Sequence, residues 1–95
     1  MEKLEQGVKR ELLATLANWR HDLQRDAVTR EFAFADFVEA FAFMTRIALV
    51  ADRSDHHPEW SNVWNKVDIL LSTHSAGGVT AKDIALARKI DAIAG

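Results

Sequence analysis

An α+β sandwich is the fold this sequence predicts: a four-stranded antiparallel sheet with three helices packed on one face, in the order α-β-β-α-β-β-α. Three observations carry the prediction. Two stretches, near residues 4–16 and 36–53, repeat apolar residues every three or four positions. Two pairs of short runs rich in β-branched and aromatic residues, at 19–34 and 59–73, each break at a short polar turn. A last helical stretch opens on Thr80 with Asp83 three residues on, the signature of a capping box. With 95 residues and 48% hydrophobic content, residues 1–95 read as one packed domain with no room for a second.

The elements follow in order. From Leu4, the residues Val8, Leu12 and Leu16, with Leu13 alongside, give helix one a single apolar face. Trp19 to Gln24 and Val28 to Phe34 read as a hairpin around Arg25-Asp26-Ala27. The second helix starts near Asp36 and runs to about Arg53, with Phe37, Phe41, Met44, Ala48 and Ala51 in one stripe. Val38, Ala42, Phe43, Ile47, Leu49 and Val50 leave it only a thin polar seam of Glu39, Thr45 and Arg46. More than one side must be covered, which asks for a partner subunit. Glu59 to Trp64 and Val67 to Thr73 form a second hairpin joined by Asn65-Lys66, with Trp60 and Trp64 on one face and Val67, Ile69 and Leu71 on another. The final helix buries Ile84, Leu86, Ala87 and Ile90.

Composition narrows the function. Twelve basic against fourteen acidic residues give a net charge of -2, without the basic stripe that a phosphate backbone demands, so direct nucleic-acid binding is not expected. The absence of cysteine excludes disulfides, thiolate metal sites and cysteine nucleophiles. No segment has membrane-spanning length and the N-terminal residues lack a signal-peptide core, so a soluble, cytoplasmic protein is expected.

The chemistry concentrates between Asp55 and His74, in DHHPEWSNVWNKVDILLSTH. His56 and His57 precede Pro58, which holds the residue before it out of the helical region and keeps the pair on an extended loop edge. His74 leaves the fourth strand. Residues 57 and 74 are equidistant from a turn centred on Asn65-Lys66, so hairpin pairing turns all three imidazoles toward one pocket. Three readings stand on the residues alone: a solvated loop, a metal site, or acid/base chemistry, for which imidazole is suited near neutral pH. Adjacent histidines on extended chain diverge, there is no HExxH pair, and no metal is expected. His21, alone on a strand, reads as a solvated side chain. Trp60 and Trp64 either line a pocket or staple the sheet.

Beyond these readings, the sequence resembles the pterin-4a-carbinolamine dehydratase family, also known as the dimerisation cofactor of a hepatocyte homeodomain transcription factor. REFAFADFVEAFAFMTRIAL, DHHPEWSNVWNKVDILLSTH and AGGVTAKDIALARKID carry the resemblance, which runs from about Asn18 to Asp91. Asp52, His56, His57, Pro58, Trp64, His74 and Asp83 fill the family's spaced site pattern. The family often has Glu where this chain has Asp52, and Gly where it has Asn18.

The resemblance implies loss of water from 4a-hydroxytetrahydropterin to give quinonoid dihydropterin, in tetrahydrobiopterin recycling after a pterin-dependent aromatic amino acid hydroxylase. It implies His56, His57 and His74 as catalytic residues, with His56 the principal acid/base, His74 a proton donor near the 4a hydroxyl and His57 an orienting group. Asp55, Ser72, Thr73 and Ser75 would join them in binding substrate. Asp52 (orienting an imidazole), Pro58, Trp19 (closing the pocket), Trp64 and Asp83 would support the site. The pterin is substrate, so no cofactor is implied. Family members form dimers by sheet extension and tetramers through the second helix, which implies a homodimer or homotetramer here. The alternative is a non-catalytic protein-binding coactivator or a pterin-binding accessory protein.

Overall fold

The computed structural model describes residues 2–95. Its elements are α1 (Gln6–Ala14), β1 (Arg20–Asp22), β2 (Ala27–Ala33), α2 (Phe37–Arg53), β3 (Glu59–Val63), β4 (Lys66–Leu71), a 3-10 turn (His74–Ala76) and α3 (Ala81–Ala94). The strands form one antiparallel sheet in the order β1-β2-β4-β3, which is the α+β arrangement the sequence predicts.

Alternation along the strands separates two faces. Val28, Phe32, Val67, Ile69 and Leu71 are buried against the helices, while Glu31, Lys66 and Asp68 on the opposite face are exposed. The core closes with Phe43 and Ile47 from α2 and Ile84, Leu86, Ala87 and Ile90 from α3; Leu12 and Leu13 of α1 pack against it. Fully burying side chains of this size contributes roughly 1.5–3 kcal/mol each. An aromatic set of Trp19, Phe32, Phe34 and Phe43 fills the end of the core, with Phe43 4.8 Å from both Phe32 and Phe34.

Several local expectations are corrected. In α1 Lys9 turns inward beside Leu12 and Leu13, 7% exposed and 2.9 Å from Asp26, whereas Val8 lies exposed. In α2 the buried line is Ala40, Phe43, Ile47 and Ala51, so Phe37 and Phe41 point outward with Val38 and Leu49. The β3–β4 loop is Trp64-Asn65, one residue earlier than the turn read from sequence, because Val63 pairs with Lys66. Trp64 takes the left-handed backbone (φ 50) that the first position of such a loop requires. Asn62 fastens the loop by donating from Nδ2 to the carbonyls of Trp64 and Lys66, and Asn65 exchanges backbone and side-chain bonds with Phe34. Trp64 is thus an exposed loop residue and does not share a strand face with Trp60.

Candidate active site

The end of α2 sets the first two histidines. Ser54 caps the helix and Asp55 turns left-handed (φ 51), so that the amide of His56 reaches Ala51 O at 3.1 Å and that of Asp55 reaches Asp52 O at 3.1 Å. These are the two crossed bonds of a Schellman ending, with Asp in the place where Gly is commonest. Pro58 then leads the chain into β3.

The start of α3 supplies the partner. Thr80 and Asp83 form a reciprocal capping box, and Asp83 is fully buried. Its Oδ2 accepts the Thr80 amide and the Thr73 hydroxyl, each at 2.8 Å. Its Oδ1 meets His56 Nε2 at 2.6 Å. With Oδ2 already bonded twice, Oδ1 is the free acceptor for an Nε2–H of His56, which leaves the lone pair on Nδ1. The His56 side chain is 10% exposed, so the imidazole is held by protein on most of its surface.

His74 differs in kind. β4 ends at Leu71, two residues sooner than the sequence reading, and Thr73 turns inward to Asp83 while His74 opens the 3-10 turn on the surface. The register pairs Glu59 with Leu70, so His57 and His74 are not cross-strand partners as the predicted turn had them. His74 Nε2 instead lies 2.8 Å from Glu59 Oε1. His57 is exposed and 3.4 Å from Asp52 Oδ1. Asp52 therefore addresses His57, and the imidazole of His56 is held by Asp83.

Each imidazole has its own carboxylate, and His56 and Thr73, whose neighbours are His57 and His74, meet on Asp83. Ser72 reaches the Asp26 carbonyl at 3.4 Å, and Ser75 is exposed. Trp19 is a core residue: it packs against Phe32 and donates Nε1–H to Asp91 at 2.8 Å. His21 is not a free solvated side chain, because Nε2 lies 2.7 Å from Asp26. A cleft of about 420 Å³ opens beside His57, between Leu49 and Asp52 of α2 and Pro58 and Trp60. Among the described residues, no three His, Asp or Glu side chains gather in a metal-holding group.

Sequence reasoning missed Glu59 and Arg25. Arg25 grips both oxygens of Glu59 at 2.9 Å. That guanidinium first, and His74 second, hold the Glu59 carboxyl below its ordinary range. Glu59 carries a signal, as the one charged residue between the histidine pair and the strand interior; Arg25, thirty-four positions earlier, carries none.

An α+β sandwich carrying a buried His–Asp pair and two exposed imidazoles, each beside its own carboxylate, has groups suited to acid/base chemistry. The model of the family described as Pterin 4 alpha carbinolamine dehydratase matches residues 2–93. A protein of Rhizorhabdus wittichii, described as "Putative pterin-4-alpha-carbinolamine dehydratase", is 54% identical over 94 residues, covering 99% of this chain and 97% of its own. A similarly described Paraburkholderia xenovorans protein is 53% identical over 98% and 97%. The crystal structure of a transcriptional coactivator/pterin dehydratase from Brucella melitensis superposes with a TM-score of 0.95 at 49% identity, covering 99% of this chain and all of that one. A pterin dehydratase-like protein described as a RuBisCO assembly factor shares the fold alone, with a TM-score of 0.72 at 24% identity over 82% and 90%. The chain belongs to the pterin 4 alpha carbinolamine dehydratase family, and its enzyme class is hydro-lyase.

Proposed function

We propose that this chain eliminates water from 4a-hydroxytetrahydropterin to give quinonoid dihydropterin, by histidine acid/base catalysis. The observation that carries the reading is His56, pinned at Nε2 by the buried Asp83. A fixed ring with one free nitrogen is what a base needs to take the N5 proton. His74 protonates the departing 4a oxygen, the C4a–O bond breaks, and the N5 electron pair closes the C4a=N5 double bond. One proton leaves N5, one arrives on hydroxide, and water departs. No electron acceptor is required, so the reaction calls for no redox cofactor. His57, beside the cleft with Trp60, orients the ring system, and Asp55, Ser72, Thr73 and Ser75 offer further polar contacts. In the cell the substrate would come from a pterin-dependent aromatic amino acid hydroxylase in the cytoplasm, and the product would re-enter tetrahydrobiopterin recycling.

The exposed apolar residues Phe37, Val38, Phe41 and Leu49 of α2 support self-association as a homodimer or homotetramer. The same surface favours a second reading, in which the chain also binds a protein partner, as the description of the Brucella melitensis relative suggests for that protein. Stopped-flow decay of freshly generated 4a-hydroxytetrahydropterin tests the enzymatic reading. Wild type should accelerate it and His74→Ala should lose most of the gain; a folded wild type without effect leaves only the partner-binding role.

A further inference from the structure

His74 is 76% exposed and lies on a single 3-10 turn, so neither burial nor a long element fixes its ring. What faces Nε2 is Glu59 Oε1, and the same carboxylate is forked by Arg25 through both its oxygens. A bidentate guanidinium sets the plane of a carboxylate as well as its position. The geometry points to Glu59, backed by Arg25, as the positioning residue of His74: its carboxylate holds Nε2–H in the imidazolium and in the neutral ring alike, so the imidazolium gives the Nδ1 proton to the reacting molecule and is left as the Nε2–H tautomer.

An exposed ion pair alone is a weak tether, because water screens the charges and two long side chains must be ordered to form it. Here both ends are anchored by one turn, residues 23–26 between β1 and β2. Asp22 accepts the amides of Gln24 and Arg25 at 3.0 and 3.1 Å, fixing the backbone that carries the guanidinium. Asp26 grips both ends of the His74 loop: its carbonyl accepts the Ser72 hydroxyl and its carboxylate accepts the Val79 amide at 3.3 Å. The loop is closed on itself by the bridge between Thr73 and Gly78. A Cβ at Gly78 would collide with the Asp26 carboxylate, so the close approach requires glycine there. One turn therefore fixes the loop through Asp26 and the imidazole's partner through Arg25. None of Arg25, Asp26 and Glu59 is among the seven residues of the spaced histidine pattern.

The inference rests on the proposed dehydration only for its effect on turnover, since the ring state is readable without it. The test combines ¹⁵N imidazole spectra of the full chain, taken with the rings neutral, and stopped-flow dehydration of 4a-hydroxytetrahydropterin. The variants are Glu59→Ala, Glu59→Gln and Arg25→Met, with Glu59→Ala also placed in a His74→Ala background. Wild-type His74 should show the Nε2–H tautomer. Glu59→Ala should turn it into a mixture, Arg25→Met should move it the same way by less, and Glu59→Gln, which keeps an acceptor oxygen, should restore it. In Glu59→Ala kcat should fall about tenfold, a fraction of the ~10²–10⁴ of a whole proton-transfer group, with KM changed less than about twofold. That loss should vanish in the His74→Ala background. Unchanged His74 signals in Glu59→Ala and Arg25→Met, or a rate loss that persists without His74, overturns the inference. Ring signals that respond as described in a protein without dehydratase activity uphold the positioning and overturn the activity alone.

Discussion

Asp83 serves folding and chemistry through different oxygens: Oδ2 caps α3 and takes the Thr73 hydroxyl, and Oδ1 holds His56. Asp83→Ala leaves the Thr80 amide and His56 Nε2 buried without an acceptor, although the Thr73 hydroxyl retains Thr80 Oγ1 at 2.7 Å. At about 1–3 kcal/mol for each orphaned group, the variant should lose roughly 3 kcal/mol in urea unfolding; a loss under about 1 kcal/mol would contradict the network. Asp26 gives a pH signature. Burial opposes its ionisation, but the bonds from Lys9, His21 and the Val79 amide outweigh that and hold its carboxyl at about 2. Because this folded value lies below the unfolded one, the stabilisation is present above about pH 4 and is lost as pH falls toward 2, an amount of roughly 2 kcal/mol. Asp26→Asn should flatten the stability curve in that window, and an unchanged acid slope would refute the assignment. Asp83 was legible in sequence twice over, as a capping-box residue and as part of the spaced pattern. Glu59 and Arg25 were not, since which side chains meet across a sheet depends on register and loop path that local spacing does not contain.

Among the elements, the end of α2 aims His56, and it does so with a left-handed aspartate. Asp tolerates that conformation through its short polar side chain, whereas a β-branched residue does not. Asp55→Val should therefore cost about 1–2 kcal/mol in the denaturation midpoint, and a neutral effect would show that the ending is held by something else. The type and order of every helix and strand were readable from periodicity, because the core faces of β2 and β4 alternate and those of α1, α2 and α3 repeat at helical spacing. Finer details were not. α2 is apolar nearly all round, so periodicity could not tell the line through Phe43 and Ile47 from the line through Phe37 and Phe41. The hairpin loop slipped because Trp64, an aromatic of high strand propensity, occupies a turn position that normally goes to Gly or Asn. A one-residue shift of the loop moved the inferred partner of every residue in the hairpin, including His74.

For the whole molecule, the sheet buries one face under the helices while α2 keeps Phe37, Val38, Phe41 and Leu49 outside. Sedimentation of the wild type should give an assembly larger than one chain, and Phe41→Glu should shift it toward the monomer; a wild-type monomer at micromolar concentration would contradict the self-association. No helix among the described residues is long and apolar enough to cross a membrane. The account as a whole turns on one proton-transfer group seated at the meeting point of α2, α3 and the loop after β4. The most direct measurement is therefore the rate of 4a-hydroxytetrahydropterin decay with folded His56→Ala set against wild type at neutral pH. A fall of ~10²–10⁴ with the circular dichroism and melting transition retained is the predicted result. Wild-type speed in that folded variant would contradict the claim that the Asp83-held imidazole does the chemistry.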